Sequence, residues 1–520
     1  MSQVGTADKD SATTDKQAWF DRLRDAGFIF VTPEESAFIT FWRWQGPVLM
    51  LVALAAIVSL VLWPLHTLVA LNAIASLIYF VIIAFRFYTI HRGENVTAKA
   101  LDITPDEVRR FCADETVLPV YTILCPLYRE AETVVQFLRG MAKLDYPFDK
   151  LDIRVLLEAD DVETQEAALA EKRRMGNPEV IQIIVVPDAQ PKTKPKACNY
   201  GLHGARGEYL VIYDAEDIPE PDQLKKVLVA YGRLPETTVC IQAKLNYFNP
   251  RQNMLTRFFT AEYSMWFDLF LPGLFAVNAP IPLGGTSNHF KMTALRRLHA
   301  WDPFNVAEDA DLGMRIAREG LSTAVIDSTT WEEANSRVGN WIRQRSRWVK
   351  GYMQAWLVSM RHPLRVLRIL GPWRFFCFQA TIGGTPFILL MNPVYWLLML
   401  VYLLTTWHFV PLLFPLPVFV LSAMTALAGN LVFIYLSIYG LLKRTHYDFV
   451  PLMFLSPLYW ALQSIAAWKA LYQLFVKPFY WEKTTHALIV AHEMDDIVAV
   501  QPEGSDHGVD PSNPSHASPA

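Results

Sequence analysis

The chain contains 520 residues, more than one ordinary domain, and 52% of them are hydrophobic, with 31 Phe, 20 Tyr and 16 Trp. Average soluble proteins are less apolar, so we expect part of this surplus to face lipid. The formal net charge of −4 comes from 47 basic and 51 acidic residues. Nucleic acid binding asks for a basic patch or stripe, which this balance does not indicate, so that class of function is set aside.

The cysteines do not predict a metal site or a disulfide framework. They are odd in number, and no two are close enough for a CxxC pair. We expect reduced, structural thiols in a cytosolic domain. The five positions are Cys112, Cys125, Cys198, Cys240 and Cys377.

Two uncharged stretches near the N terminus predict a membrane anchor. The polar segment 1–45 is expected to be cytosolic. Segment 46–88 is expected to form two transmembrane helices, because 47–65 and 67–85 each have about 19 uncharged residues, close to the ~20 that span the hydrocarbon core. The connector between them has no acid, Lys or Arg, so the positive-inside rule places both flanks in the cytosol. Basic residues flank the pair on both sides: Arg43, Arg86, Arg92 and Lys99.

Segment 93–370 predicts a cytosolic α/β domain. Apolar runs at YTILCPL, DIRVLLEA, VIQIIVV, EYLVIYD and TVCIQAK predict strands, and helical stretches between them indicate a largely parallel sheet. Ligands of such sheets bind beyond the carboxyl ends of the strands. Polar residues stand where these runs stop: Arg129, Glu130, Asp160, Asp161 and 214–217.

Segment 371–476 returns to apolar composition and predicts three or four transmembrane or interfacial helices. Four spans would return the C terminus to the cytosol but would place Lys443 and Arg444 outside. If 376–390 is interfacial, that basic pair stays inside. The C terminus is then exported unless 449–475 is re-entrant, and the sequence leaves both alternatives open.

The last segments differ in composition. Segment 477–500 contains KPFYWEKTTHAL, whose Trp and Lys predict an interfacial position beside a channel mouth. Segment 501–520 lacks the apolar residues needed for a core and is predicted to be disordered.

Acidic residues follow two of the predicted strands. Asp214, Glu216 and Asp217 stand at the end of VIYDAEDIPEPDQL, where carboxylates suit Mg²⁺ or Mn²⁺ bridging a diphosphate. Asp160 and Asp161 form a second carboxylate group that is expected to approach the same pocket. The structural alternative for both groups is a helix cap with acidic first-turn residues.

A basic segment lies between these two acidic groups. PKTKPKACNYGL places Lys192, Lys194 and Lys196 before a predicted helix start, where cations and free backbone N–H groups could meet phosphate oxygens. Lys196 and Asn199 are the predicted nucleotide contacts. A solvated basic loop is the alternative.

Two downstream segments suggest chemistry on an acceptor. In PFNVAEDADLGMRI, Glu308 and Asp309 open a predicted helix and could act as a general base, although acids also favour helix N termini for electrostatic reasons. In NWIRQRSRWVKGY, guanidinium groups such as Arg347 match phosphates, and indoles such as Trp348 offer flat faces for sugar rings. A basic amphipathic helix on the membrane is the alternative.

Taken together and in this order, these segments resemble the family 2 glycosyltransferases, in particular the membrane-embedded cellulose-synthase-like and bacterial β-glycan synthases. The resemblance covers about 119–348 and extends to the flanking helices. It implies a GT-A-like, nucleotide-sugar-binding cytosolic α/β domain plus an α-helical transmembrane region. It also implies the inner membrane of a bacterium as the location.

The resemblance assigns roles to particular residues. It implies a first acidic motif at Asp160 and Asp161 and a catalytic base at Asp309 in a TED-like motif. The metal motif falls at Asp214 and Glu216. The QxxRW motif, the most specific of these signals, consists of Gln344, Arg347 and Trp348.

Two motifs depart from the family pattern. The metal motif is DAED where the family commonly has DxD, so Glu216 or Asp217 could be the second ligand, and the base motif is AED instead of TED. The loop PLGGTSNHF, over 282–290, is similar to the acceptor-side loop of the family, and its glycines permit close backbone approach. The acceptor-loop residues are Gly284, Gly285, Thr286 and Ser287.

The sequence therefore predicts an inverting, metal-dependent hexosyltransferase that moves sugar from a UDP-sugar to a growing polysaccharide, with Mg²⁺ or Mn²⁺ as cofactor. Processive synthesis coupled to export would explain the many membrane helices, with membrane lipid and export-complex subunits as partners. One alternative is single-transfer glycosylation of a lipid carrier. Another is an inactive nucleotide-binding receptor or scaffold of an export complex.

Overall fold

The computed structural model of the protein describes residues 16–100, 102–405 and 409–482, and only the backbone of 95–100. The predicted disordered tail at 501–520 and most of the predicted interfacial segment 477–500 lie outside the described residues.

Eight strands of the described chain form one sheet in the order β3-β2-β1-β4-β7-β6-β8-β5. Each of the five predicted strands is present, and three others were not predicted. The strands are β1 Tyr121–Leu127, β2 Leu151–Glu158, β3 Ile181–Val186, β4 Tyr209–Ile212, β5 Ile218–Pro219, β6 Thr238–Tyr247, β7 Asn288–Lys291 and β8 Ser322–Glu332.

The sheet is mixed, which corrects the prediction of a largely parallel one. Strands β1 to β4 are parallel, with Leu127 beside Leu157 and Leu124 beside Ile212. Strand β7 runs antiparallel to both of its neighbours, β4 and β6. Pattern reasoning missed β7 because three of its four residues are polar, so no apolar run or alternation marks the strand. Their interior partners hold them instead, since the Tyr121 hydroxyl lies 2.7 Å from His289 Nδ1.

Helices cover both faces of the sheet and continue into the apolar region. A first helix, α1, covers 16–25. The remaining α-helices of the described chain are α2 Gln45–Leu62, α3 Pro64–Ala100, α4 Pro105–Phe111, α5 Ala131–Met141, α6 Val162–Arg174, α7 Lys194–Gly201, α8 Gln223–Arg233, α9 Met254–Met265, α10 Leu271–Ala276, α11 Met292–Arg297, α12 Glu308–Arg318, α13 Val338–Ser359, α14 Pro363–Phe378, α15 Gly384–Thr405, α16 Phe409–Leu412, α17 Leu416–Lys443 and α18 Ser456–Val476.

The N-terminal segment packs into the core of the α/β domain. Phe20 and Phe28 are buried in one cluster with residues of the sheet and of α12. The Arg361 guanidinium donates to the carbonyl oxygens of Glu34 and Ser36, at 2.5 and 2.9 Å. Buried charges are stable when their donors are satisfied in this way. The described part of the predicted cytosolic segment is therefore a structural element of the domain.

Five helical segments of the described residues are long and apolar enough to cross a membrane. This agrees with an integral membrane protein. Glycine at 371, with φ +73°, breaks the third segment ahead of its more apolar part. The segments are Gln45–Leu62, Pro64–Glu94, Pro363–Thr405, Leu416–Lys443 and Tyr447–Val476.

The last of these segments packs against the α/β domain near both of its ends. Near the start of α18, the Tyr459 ring lies 5.1 Å from that of Trp341 on α13. Just beyond the end of α18, the Lys350 ammonium of α13 donates to the Tyr480 carbonyl oxygen over 2.8 Å. Arg444, between α17 and α18, pairs with Asp268 of the domain at 2.7 Å. This packing favours the alternative in which 449–475 returns to the side from which it came.

All five cysteines are free and buried. This agrees with the expected reduced, structural thiols.

Candidate active site

One cavity of about 1400 Å³ joins the carboxyl edge of the sheet to the apolar helices. Asp214 and Glu216, just after β4, line it at the sheet, and Tyr402 of α15 and Phe419 of α17 line it at the far ends of those helices. The strands β1, β2 and β4 are parallel, so their carboxyl ends meet at this edge. Binding beyond the carboxyl ends of the strands is the general rule for such sheets.

The three acidic residues after β4 take two different environments. Asp214 and Glu216 line the cavity. Asp217 is buried, and its carboxylate accepts the Asp214 backbone N–H over 2.7 Å as well as the Thr286 hydroxyl. Burial and the charges of Asp214 and Glu216 raise the pKa of the Asp217 carboxyl well above its usual range. Asp217 therefore holds the turn and the acceptor loop together.

The cavity residues fit a divalent cation that is shared with a diphosphate. Mg²⁺ is usually held by one or two carboxylates together with phosphate oxygens, and Asp214 and Glu216 supply two carboxylates. The described residues contain no group of three or more His, Cys, Asp or Glu that could hold a metal by itself. The Lys194 ammonium contacts the Asp214 carboxylate and donates to the Gly285 carbonyl oxygen over 2.8 Å. A cation bound here would share Asp214 with this lysine.

Lys196 and Asn199 occupy the interior, not the predicted nucleotide site. The Lys196 ammonium is fully buried and pairs with Glu158 at 2.8 Å. The Asn199 amide donates to the carbonyl oxygens of Phe28 and Trp301 over 2.9 and 2.8 Å. Their polar atoms are used by the protein, because α7 must dock the N-terminal segment. The neighbouring Lys192 and Lys194 line the cavity instead.

The first acidic motif lies at the rim. Asp161 caps α6, its carboxylate accepting the Thr164 N–H over 3.4 Å, which is the alternative role considered for this motif. Asp160 is more exposed, pairs with Lys192 at 2.8 Å and accepts the Tyr128 hydroxyl over 3.1 Å. The hydrogen bond from Lys192 lowers the pKa of Asp160. Of these residues, Lys192 and Tyr128 line the cavity.

The acids at the start of α12 both line the cavity. Burial, followed by the charge of Asp309, raises the pKa of Glu308 to about 8. Burial also raises the pKa of Asp309, and the Ala310 backbone N–H opposes this by donating to its carboxylate over 2.7 Å. A Cβ atom at Gly285 would lie 3.6 Å from Asp309 Oδ2. The carboxylate therefore faces the glycine tip of the acceptor loop.

Hydrogen bonds hold the base of the acceptor loop, and its tip lines the cavity. Gly284, Gly285 and Thr286 line the cavity, whereas Ser287 is buried and donates its hydroxyl to Thr330 over 2.7 Å. The Gln242 carboxamide braces the loop by accepting the Gly284 N–H over 2.7 Å and donating to the Thr286 carbonyl oxygen over 3.0 Å. The loop ends directly in β7, so its last residues are a strand.

The QxxRW residues lie together on α13. Gln344, Arg347 and Trp348 all line the cavity. The Arg347 guanidinium stacks 4.3 Å from the Trp481 ring. Burial lowers its pKa, and the carboxylates of Glu308, Asp309 and Asp214 oppose that shift. The helix thus places one cation within the electrostatic reach of the carboxylates on β4 and α12.

Sequence reasoning missed several acids that line the cavity. Glu332 is the last residue of β8, Glu333 follows it, and Glu262 lies on α9. Burial and the charge of Asp217 raise the pKa of Glu332 well above its usual range. The available signal was a carboxylate pair at a strand end, WEEAN, but the Ser- and Thr-rich strand before it was not recognised.

Between the apolar helices the cavity keeps a polar and aromatic lining. Hydroxyl and carboxamide groups on three helices are linked to one another, since the Ser76 hydroxyl lies 2.7 Å from that of Ser422 and the Tyr79 hydroxyl contacts the Asn392 carboxamide. Aromatic rings add flat apolar faces. Further lining residues are Tyr395, Trp396, Tyr402, Asn430, Ser437, Trp460 and Gln463.

The fold and this site define an α/β protein whose acid-lined pocket opens into a bundle of membrane-type helices. Residues 209–462 match the sequence model of the family described as Glycosyl transferase family group 2. This match confirms the resemblance inferred from the motifs. The mixed α/β sheet and the apolar helices agree with the fold that this resemblance implies.

Curated relatives carry related names. The chain is 27% identical over 241 residues to "Probable glycosyltransferase YdaM" of Bacillus subtilis (strain 168), covering 45% of this chain and 55% of that protein. It is 24% identical over 237 residues to "Probable glucomannan 4-beta-mannosyltransferase 7" of Oryza sativa subsp. japonica, covering 45% and 40%. The matches span about half the length of these relatives.

Solved structures of low identity also match. "Mannosyltransferase PcManGT from Pyrobaculum calidifontis in complex with GDP-Man and Mn2+" is 20% identical, with a TM-score of 0.48, and the match covers 77% of this chain and 99% of that one. S. aureus TarS 1–349 in complex with UDP-GlcNAc is 12% identical, with a TM-score of 0.34, and the match covers 68% and 91%.

Proposed function

We propose that the protein is an inverting glycosyltransferase that adds sugars from a nucleoside-diphosphate sugar to a growing polysaccharide and passes the product between its membrane helices. The observation that supports this is the single cavity, which runs from the carboxylates of the sheet to the far ends of α15 and α17. Its hydroxyl, amide and aromatic lining suits a polymer of sugar rings, because polar groups match hydroxyls and aromatic faces match ring faces.

The donor would lie over the carboxyl edge of the sheet. Asp214 and Glu216 would hold Mg²⁺ or Mn²⁺, which, when bound, offsets the negative charge that develops on the diphosphate as it departs. Arg347 and Lys194 line the same part of the cavity and add positive charge there. Fixed charges aimed at the leaving group cost little reorganisation during the reaction.

Asp309 would act as the general base on the acceptor hydroxyl. Its carboxylate faces the Gly285 tip of the acceptor loop, and its raised pKa brings it closer to the pH at which it must take a proton. Attack from the face opposite the diphosphate inverts the anomeric configuration, so an α-linked donor gives a β-linked product. Trp348 would offer the terminal sugar of the acceptor a flat ring face.

The location is part of this proposal and rests on the family resemblance. The α/β domain would face the cytosol of a bacterium, with α2, α3, α15 and α17 crossing its inner membrane. A UDP-sugar is the donor expected from the sequence. The relatives named as mannosyltransferases add a mannose donor to those that need testing.

The first test is the transfer of label from UDP-glucose, UDP-N-acetylglucosamine and GDP-mannose by the purified protein in lipid nanodiscs, with Mg²⁺, Mn²⁺ or EDTA. We expect metal-dependent polymer from one donor and its loss in Asp309→Asn. Glu319→Gln, at the other end of α12 and half exposed, is the matched control and should keep its activity. Label confined to a lipid fraction would instead indicate single transfer to a lipid carrier, and no turnover would favour a binding role.

The second test addresses the passage. Ala426 of α17 lines the cavity, whereas the adjacent Leu427 is not among its lining residues and is 72% exposed on the bundle. We expect Ala426→Trp to shorten the polymer while donor hydrolysis continues, and Leu427→Trp to leave polymer length unchanged. Equal polymer length in both variants would contradict a path between the helices.

A further inference from the structure

A partly buried ion pair lies beside the QxxRW motif. Arg345, one of the two unspecified positions of that motif, is only 11% exposed. Its guanidinium donates to the Glu262 carboxylate from both terminal nitrogens, at 2.7 and 2.5 Å. Such a two-point pair fixes the plane of the guanidinium as well as its position.

The same guanidinium is surrounded by aromatic rings. Its central carbon lies 4.6 Å from the ring centre of Trp348 and 4.6 Å from that of Phe259, while the Trp341 ring lies at 5.3 Å. A cation over an aromatic face is attractive within about 6 Å. The orientation of Arg345 therefore influences that of Trp348, one turn further along α13.

The pair also reaches a third helix. The Tyr459 hydroxyl of α18 donates to the Glu262 carboxylate over 2.6 Å, and its ring stacks on Phe258 of α9 with centres 5.2 Å apart. Glu262 and Tyr459 line the cavity together with Trp348. Three helices, α9, α13 and α18, thus meet at one carboxylate next to the aromatic platform.

We infer that Arg345, Glu262 and Tyr459 act as one positioning unit that fixes the Trp348 ring for the acceptor sugar. This inference rests on the proposed transfer reaction, in which Trp348 faces the acceptor. None of the three residues is required to touch the donor. Their loss should displace the acceptor hydroxyl from the reacting carbon of the donor. A displacement of about 1 Å can lower the transfer rate roughly a hundredfold.

Loss of this positioning unit should have an effect that differs from a loss of fold stability. When the acceptor end is misplaced, water competes better for the activated donor, so the nucleotide is released without sugar transfer. Growing chains also dissociate earlier, so products shorten. A residue that only stabilised the fold would lower all turnover equally and would leave the ratio of transfer to hydrolysis and the product length unchanged.

The experiment compares Arg345→Lys, Glu262→Gln and Tyr459→Phe with the unaltered protein in nanodiscs. For each, sugar incorporated and nucleoside diphosphate released are measured together, with product length by gel. Lysine keeps the charge but not the planar fork, so we expect Arg345→Lys to lower the transfer-to-hydrolysis ratio about tenfold or more. Tyr459→Phe removes one hydrogen bond and should move the ratio the same way by a few fold.

A matched control and a double variant complete the test. Arg251→Lys alters an exposed ion pair with Asp448 and should leave the ratio and product length unchanged. The double variant Arg345→Lys with Glu262→Gln should match the stronger single variant, because residues that act as a unit are not additive.

The outcomes separate the two proposals. Unchanged ratios and lengths in all three variants, with an active unaltered protein, would overturn the positioning role and leave the transfer reaction standing. If the unaltered protein transfers no sugar from any donor, the proposed function fails, and the positioning role fails with it.

Discussion

Glu308 and Asp309 are adjacent in the sequence but differ in environment, because the start of α12 buries Glu308 and turns Asp309 towards the acceptor loop. Paired titratable groups whose environments separate their pKa values divide acid and base roles between them. Burial and the charge of Asp309 raise the pKa of Glu308 to about 8, so Glu308 carries a proton for most of the time at neutral pH.

This assignment predicts the pH dependence. Above about pH 8 Glu308 ionises and repels the incoming diphosphate, so kcat/KM for the donor should fall in the unaltered protein but not in Glu308→Gln. The stability of the fold should likewise decrease as pH rises. A folded-state pKa raised above the unfolded value gives stability that is fully present below the unfolded value and is lost as pH rises to the folded value, so Tm should fall between about pH 5 and 8 less steeply in Glu308→Gln. Parallel profiles in the two proteins would contradict the assignment.

The metal motif admits a second test at this scale, because Glu216 and Asp217 have different surroundings. Glu216→Gln should raise the concentration of Mn²⁺ needed for half-maximal activity and leave Tm unchanged. Asp217→Ala should lower Tm, because it leaves the Asp214 N–H and the Thr286 hydroxyl without their hydrogen-bond acceptor. Each buried group left unpaired costs about 1–3 kcal/mol of stability. Metal titrations and thermal unfolding check both, and the reverse pattern would make Asp217 the ligand.

Helix α13 organises the site at the scale of elements. It carries the QxxRW residues, and its middle is in close van der Waals contact with the start of α12. A Cβ atom at Gly351 would lie 2.2 Å from the Ala307 Cβ. The absent side chain at this position therefore sets how close Arg347 comes to the carboxylates of α12.

We expect Gly351→Ala to push the two helices apart. Overpacking of this kind costs about 1–3 kcal/mol, so Tm should fall and transfer should slow. Gly339, at the start of the same helix, has open space where a methyl group would stand, and Gly339→Ala should cost neither stability nor activity. A Gly351→Ala variant as stable and as active as Gly339→Ala would contradict the close contact.

At the scale of the whole molecule, the path of α18 decides the topology. By length and composition alone, 447–476 could cross a membrane. Its contacts with α13 at both ends place Lys477 on the same side as Asp448. With α2, α3, α15 and α17 as the proposed crossing helices, both termini of the described chain would lie on the side of the α/β domain.

Cysteine labelling tests this path. In intact cells, an impermeant maleimide should label His66→Cys, in the first turn of α3, and should not label Asp448→Cys or Lys477→Cys. Both of the latter should react once the cells are opened, and the native thiols are buried and should contribute little background. Labelling of Lys477→Cys in intact cells would show that α18 crosses the membrane.

The sequence by itself determined the class of fold, the family and most of the motifs. Apolar runs and uncharged stretches depend on local composition, and the QxxRW spacing puts Gln344, Arg347 and Trp348 on one helix whatever surrounds it. It could not reveal the polar strands β7 and β8, because partners distant in sequence stabilise them. For the same reason it did not find Glu262 or Glu332.

Only the tertiary structure decided which polar groups remain available. Lys196 and Asn199 carry the right chemistry for a nucleotide, but Glu158 and the backbone of the N-terminal segment already occupy their polar atoms. Asp217 is likewise committed to the acceptor loop. Composition also allows α18 to cross the membrane, whereas its packing on α13 favours a return to the same side. Burial and hydrogen bonding with distant residues set these outcomes, and no local pattern records them.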